Sequence, residues 1–142
     1  MDTNNDEIIA EIAQKTKVIA LVGASPNSAR ASHEVMRFLQ SSGYRVIPVN
    51  PGHIGEEING EKVYGSLEDI PQSQTGKIDM VDIFRNSADA AEPAIKAIEI
   101  GAKYVWMQLG VINEKAAAKA RNAGLKVIMN RCPAIEFPKL GK

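Results

Sequence analysis

The chain predicts an α/β fold with helices on both faces of one parallel sheet, and three observations predict it. Short runs rich in Val and Ile recur along the chain, apolar on nearly every residue, as strands covered on both faces must be. Stretches with apolar residues at helical spacing separate these runs. Glycines close those stretches, the usual helix stop. Strand–helix–strand units joined by right-handed crossovers then build a doubly wound sheet.

The elements follow in order. A short amphipathic helix is expected over 6–14, ahead of the first strand, VIALVG, Val18 to Gly23. Ser32 to Ser42 gathers Val35, Met36, Phe38 and Leu39 on roughly one helical face, and Gly43 stops it. RVIPVN, Arg45 to Asn50, is the second strand. Pro51 to Lys77 is the longest irregular stretch; INGEKVY within it reads as a small extended piece turning at Asn59-Gly60. DMVDIF, Asp79 to Phe84, is the third strand, interrupted by Asp79 and Asp82, whose spacing sends them to opposite faces and argues against a carboxylate dyad. Ser87 to Ile100 places Ala91, Ile95, Ile98 and Ala102 at helical spacing ahead of a Gly101 stop, and Pro93 argues for a start later than Ser87. KYVWMQ, Lys103 to Gln108, is the fourth strand. Asn113 caps an alanine-rich helix to Asn122, with Gly124 as its stop. KVIMN, Lys126 to Asn130, is the fifth strand. The expected fold is therefore a Rossmann-like doubly wound five-stranded parallel sheet, order 3-2-1-4-5, in a single domain over 1–142 with its core at about 15–140.

Composition narrows the function. Of 142 residues, 44% are hydrophobic and 24% charged, the balance of an ordinary globular protein. Seventeen basic residues match 17 acidic ones and no basic run appears, so nucleic acid has no electrostatic footprint here. The apolar runs are too short to span a bilayer, and the acidic, polar N-terminus does not read as a signal peptide. The single cysteine, Cys132, allows no internal disulfide and fits a reducing cytoplasm. Two widely spaced histidines and one cysteine make no zinc site. A cytoplasmic protein without membrane or metal is expected, and a homodimer suits a chain this small.

In such a sheet ligands bind beyond the carboxyl ends of the strands, where the strand order reverses. With the expected order that point lies between the first and fourth strands. The first loop, GASPNSARAS, has Gly23 for close backbone approach and Ser25, Asn27 and Ser28 as donors. A helix N-terminus follows, which favours phosphate. A turn of this kind needs small residues with or without a ligand. Neither GxGxxG nor GxxxxGK(S/T) is present. The second strand ends in VNPG, Asn50 and Pro51, with no carboxylate until Glu56, which speaks against NAD or NADP. Pro51 turns the chain outward and leaves an apolar surface suited to a flat adenine. The residues themselves lead to a phosphate-bearing nucleotide.

VGAS (Val22 to Ser25), PVNP (Pro48 to Pro51), GSLEDIP (Gly65 to Pro71), DIFR (Asp82 to Arg85), WMQLGV (Trp106 to Val111) and NRCP (Asn130 to Pro133) occur in that order. Together they resemble the stand-alone CoA-binding domain family, small proteins similar to the CoA-binding N-terminal domain of the succinyl-CoA synthetase alpha subunit. The likeness covers about Lys15 to Leu140. It implies that Gly23, Ala24 and Ser25 wrap the pyrophosphate of coenzyme A or an acyl-CoA. Val49, Asn50 and Pro51 would border adenine and ribose, and Ile83, Phe84 and Arg85 would line the same cleft. Gln108, Leu109 and Gly110 would approach the pantetheine arm. Where the synthetase has a lysine after the second-strand proline, this chain has His53, so Arg30 and Arg85 are the candidates for positive charge. The resemblance also implies that a valine at Gly23 abolishes CoA binding with the fold intact. The synthetase carries its phosphorylated histidine on a later domain, beyond anything in this sequence, so ligase chemistry by this chain alone is not expected.

Other residues carry weaker signals. His33 reads as a helix residue more readily than as a ligand contact, and Trp106 as core. Arg85 either meets the ligand or pairs with Asp82 or Asp89. Cys132, beside the fifth strand, is either an inert buried thiol or a partner for the CoA sulfur in a mixed disulfide. No nucleophile stands beside an evident base, so a binding module, a sensor or carrier working with another protein, is expected over a catalyst. An NAD(P)-dependent oxidoreductase and a ligand-free protein-interaction subunit are the alternatives.

Overall fold

A computed structural model describes residues 3–141. The first element is helix α1 (Thr3–Lys15), followed by strand β1 (Val18–Val22), helix α2 (Ala31–Ser41) and strand β2 (Arg45–Val49). A small hairpin, β3 (Glu57–Ile58) and β4 (Glu61–Lys62), and the short helix α3 (Gln72–Thr75) come next. Then follow β5 (Met80–Ile83), α4 (Ala91–Glu99), β6 (Tyr104–Met107), α5 (Glu114–Asn122), β7 (Lys126–Ile128) and α6 (Pro133–Glu136). The hairpin turns at Asn59 and Gly60, φ +48° and +85°, the pair of left-handed residues that an Asn-Gly turn supplies. Asn113 caps α5 as expected, its Oδ1 accepting from Ala116 N at 3.0 Å. Pro93 is tolerated because α4 begins only at Ala91, after a 3-10 turn, so it lies in the first turn where its missing N–H has no partner to lose.

The five long strands form one parallel sheet, the Rossmann-like α/β arrangement expected. Its order is β2-β1-β5-β6-β7, which corrects the expected 3-2-1-4-5. The third long strand lies beside β1, not outside β2. Two local facts explain this. The outer edge of β2 is already occupied: Tyr64 N donates to Pro48 O at 3.1 Å, and Asn50 N donates to Tyr64 O at 2.9 Å. Pro48 moreover has no N–H to give a second neighbour, and proline is confined to edge strands. The strand order consequently reverses between β1 and β5, not between the first and fourth long strands.

Alternation along the strands divides the core between the two faces. Val18, Ala20 and Val22 pack with the alanines of α4 and α5, such as Ala94, Ala97, Ala117 and Ala120. Ile19 and Leu21 pack on the other face with Ile9 and Ile12 of α1, Met36 and Leu39 of α2, and Phe137. Trp106 is fully buried on this second face, edge-on to Phe137, and its Nε1 donates to Arg131 O at 2.8 Å. Asp79 starts the sheet squarely: its Oδ2 accepts from Lys17 N at 2.8 Å and Val18 N at 3.1 Å, satisfying the entry to β1.

Candidate functional site

The reversal of strand order opens a crevice over the carboxyl ends of β1 and β5, where open α/β sheets take their ligands. Two clefts lie there, one toward each face of the sheet. The first encloses about 320 Å³ and is lined by Gly23, Arg30, Ser32, Phe84, Gln108 and Cys132, among others. The second encloses about 250 Å³ between Val49, Pro51, Leu67 and Pro93. Arg85 lines both.

Gly23 has φ +90°, and a Cβ there would stand 2.2 Å from the carbonyl oxygen of Phe84. The residue is glycine because the ends of β1 and β5 touch, whatever lies above them. This corrects the expectation that a valine would act only on ligand space, since any side chain here forces the two strand ends apart. Gly23 N and Ala24 N both donate to Val49 O, at 2.9 and 3.3 Å, so the loop is also tied to β2. Asn50 completes the tie. Its Nδ2 donates to Ala24 O at 2.8 Å and its Oδ1 accepts from Gly52 N at 2.8 Å, so both ends of the amide hold backbone. Ser25 Oγ accepts from Asn27 N at 3.1 Å, and Asn27 Oδ1 accepts from Ala29 N at 2.9 Å. These bonds shape the loop and lead it into α2.

The entry to α2 is unusual. Its N-cap is Arg30, extended at φ −83° and ψ 143°, and no side chain caps the first turn. Ala31 and Ser32 of that turn line the first cleft. Helix N-termini leave N–H donors unmatched and carry partial positive charge. With two guanidinium groups on the same cleft, the chemistry suits an anion. Arg85 is held loosely, 3.8 Å from Asp89, so the alternative pairing with Asp89 is present at long range.

The remaining expected residues divide. Leu109 lines the first cleft and Val49 and Pro51 the second. Ile83 is fully buried within the sheet. Gly110 belongs to the β6–α5 loop, where its N donates to Asn130 Oδ1 at 2.7 Å. His53 lines neither cleft; its Nδ1 lies 3.0 Å from Glu56 Oε2. His33 is buried on α2 with Nδ1 unpartnered, also outside the cleft lining. Cys132 lines the first cleft but is only 7% exposed, and burial pushes its thiol up from the ordinary range, with the nearby Asp82 adding to the effect. A raised thiol is a poor nucleophile at neutral pH.

Sequence reasoning passed over three residues. Ser32 and Lys96 enter the clefts from helices, and only packing shows which helical face points inward. Lys96 is itself held by Glu68 at 2.9 Å and Glu99 at 3.3 Å. Asp82, read only as a break in the third strand, is fully buried beside the first cleft, with Oδ1 accepting from Gln108 Nε2 at 2.7 Å and Oδ2 unpartnered. A carboxylate in an otherwise apolar strand was the available signal. Desolvation raises its pKa to about 7, and the Gln108 hydrogen bond opposes that only in part. Among the described residues, no group of three or more His, Cys, Asp or Glu side chains is placed to hold a metal ion. No described helix is long and apolar enough to cross a membrane.

A parallel sheet with an anion-suited crevice at its reversal point defines a Rossmann-like α/β class of domain. The family model described as CoA binding domain matches residues 17–138. The chain belongs to the CoA-binding domain family. It is 40% identical over 124 residues to the protein YneT of Bacillus subtilis, a match that covers 87% of each. A hypothetical protein from Pyrococcus horikoshii OT3 is 44% identical, with a TM-score of 0.88 over 96% of this chain and 92% of that one. The Thermus thermophilus protein described as cell-free ID.343 is 32% identical, with a TM-score of 0.87 over 96% of this chain and 98% of its own.

Proposed function

We propose that this chain binds coenzyme A or an acyl-CoA across the carboxyl edge of its sheet and does no chemistry on it. The observation that carries the proposal is Arg85, which lines both clefts and so stands where a phosphate joining two halves of a ligand would lie. Ligand pockets usually hold about 300–1,000 Å³. Each cleft here sits near or below the small end of that range, which favours a long ligand lying over both.

In this reading adenine enters the second cleft, between Val49, Pro51 and Leu67. The pyrophosphate crosses the edge over Gly23, Ala24 and Ser25, toward the uncapped start of α2, with Arg30 and Arg85 balancing its charge. The pantetheine arm descends into the first cleft past Phe84, Gln108 and Leu109, with Gly110 at its rim. Asn50 holds the β1 and β2 loops together, and its amide keeps a second N–H and a second lone pair for the ribose. Asn27 likewise shapes the loop, and His53 stays at the periphery. Because β2 ends without an acidic residue, nothing at that strand end favours the ribose hydroxyls of NAD. With no activated nucleophile among the described residues that line either cleft, the ligand is held intact, as in a sensor or a carrier that presents it to another protein.

Calorimetric titration of ligand-stripped protein with CoA, NADH and ATP tests this. CoA is expected to bind and NADH to bind weakly or not at all. Tighter NADH binding would overturn the proposal in favour of a hydride-transfer enzyme. Silence from all three would favour an interaction subunit.

A further inference from the structure

Asp82 needs a reason to exist. It lies on β5 with Leu21 and Trp106 beside it in register, inside the apolar layer between the sheet and α2. It is fully buried and one of its oxygens has no partner, an arrangement that costs stability compared with an apolar side chain of the same size. The one side-chain bond it makes is to Gln108, which is 4% exposed and lines the first cleft. A glutamine amide is nearly symmetric in shape and opposite in hydrogen bonding at its two ends. Once ionised, the Asp82 carboxylate only accepts and can face only the NH₂ end, the arrangement seen here with Nε2 donating to Oδ1 at 2.7 Å. Asp82 therefore turns Nε2 inward and leaves Oε1 as the group Gln108 offers to the cleft. Cys132, at the start of α6, is a titratable side chain buried in the same layer and close enough to Asp82 to feel its charge.

We propose that Asp82 is a positioning residue that acts through Gln108 to make the cleft floor a fixed acceptor, selecting a ligand arm that carries an amide N–H. It rests on the CoA reading above, in which the arm passing Gln108 is pantetheine, a chain with two secondary amides. The nucleotide half of the ligand touches neither residue. Asp82 is thus expected to matter for the arm and not for the nucleotide.

The test compares two probes, CoA and adenosine 3′,5′-bisphosphate, the latter lacking the arm. Calorimetry is run at about pH 8.5, above the pKa of about 7 that burial gives Asp82, on the wild type, Asp82→Val, Asp82→Asn and Gln108→Leu. Asp82→Val and Gln108→Leu should each weaken CoA about tenfold, the loss of one oriented hydrogen bond, and leave the bisphosphate within about twofold. Asp82→Asn keeps an acceptor for Nε2 but adds an NH₂ that can equally face Oε1, so its CoA affinity should fall between those of the wild type and Asp82→Val. Gln108→Leu tests the arm contact itself, and Asp82→Asn, which keeps the volume and a hydrogen bond, tests the orientation where Asp82→Val does not fold. Equal weakening of both probes would reduce Asp82 and Gln108 to structural residues and overturn the inference, as would unchanged CoA affinity in Asp82→Val. A wild type that binds neither probe overturns the CoA reading itself, and this inference with it.

Discussion

A Cβ on Gly23 would stand 2.2 Å from the carbonyl oxygen of Phe84, so the ends of β1 and β5 meet at a point where only hydrogen fits. The contact forms at the reversal of strand order, and it sets the spacing of the crevice above it. Gly23→Ala is expected to cost roughly 2–5 kcal/mol, combining a left-handed φ with a forced shift of backbone. Urea denaturation checks this. A variant as stable as the wild type would show that the strand ends can separate freely.

Arg85 lines both clefts and has only a long contact to Asp89. A charge-assisted hydrogen bond is worth about 1.5–3 kcal/mol. Arg85→Ala should therefore weaken CoA roughly 10- to 150-fold, with a smaller dependence of affinity on salt than the wild type shows. Titration at two ionic strengths reads both effects.

Asn50 joins two loops with one amide. Asn50→Ala should lose roughly 1–3 kcal/mol of stability, two hydrogen bonds at about 0.5–1.5 each. It should also weaken CoA indirectly, because the β1 loop is no longer held to β2. Asn50→Asp keeps the acceptor for Gly52 N but sets a carboxylate oxygen against Ala24 O, and thermal unfolding should place it no higher than Asn50→Ala.

Asp82 links stability to pH. Its carboxyl titrates near 3.9 in an unfolded chain and at about 7 when buried here. Between those values the folded protein holds a proton that the unfolded chain has released. Stability from this group is complete below about pH 4 and is lost as pH rises through about 7. Asp82→Asn should flatten that slope. Denaturation midpoints at pH 4.5, 5.5, 6.5 and 7.5 measure it, and parallel curves for the two proteins would contradict it.

Cys132 faces the first cleft while buried, with its thiol raised. Its reaction with an aromatic disulfide reagent at pH 7.5 should be slower than that of a free thiol, and slower again with CoA present. Mass spectrometry after oxidation with CoA asks whether a mixed disulfide forms. No adduct at Cys132 leaves it an inert packing residue.

The strands and helices were legible in the sequence because each is a local pattern. An apolar run such as VIALV reads as a doubly covered strand, and Asn113 ahead of an alanine stretch reads as a capped helix. The ordered motifs carried the family for the same reason, since each is a short string at a strand end. Strand order was less visible, although Pro48 marked β2 as an edge; what fills that edge is Tyr64, whose pairing with β2 is a long-range contact. Tertiary structure alone decided why Gly23 is glycine, because the atom it avoids belongs to Phe84 on another strand. It also decided the place of Asp82. A polar residue in a buried strand is only an interruption until folding sets Gln108 against it and closes an apolar layer over both, where an unmatched oxygen acquires its cost and its consequence for the cleft.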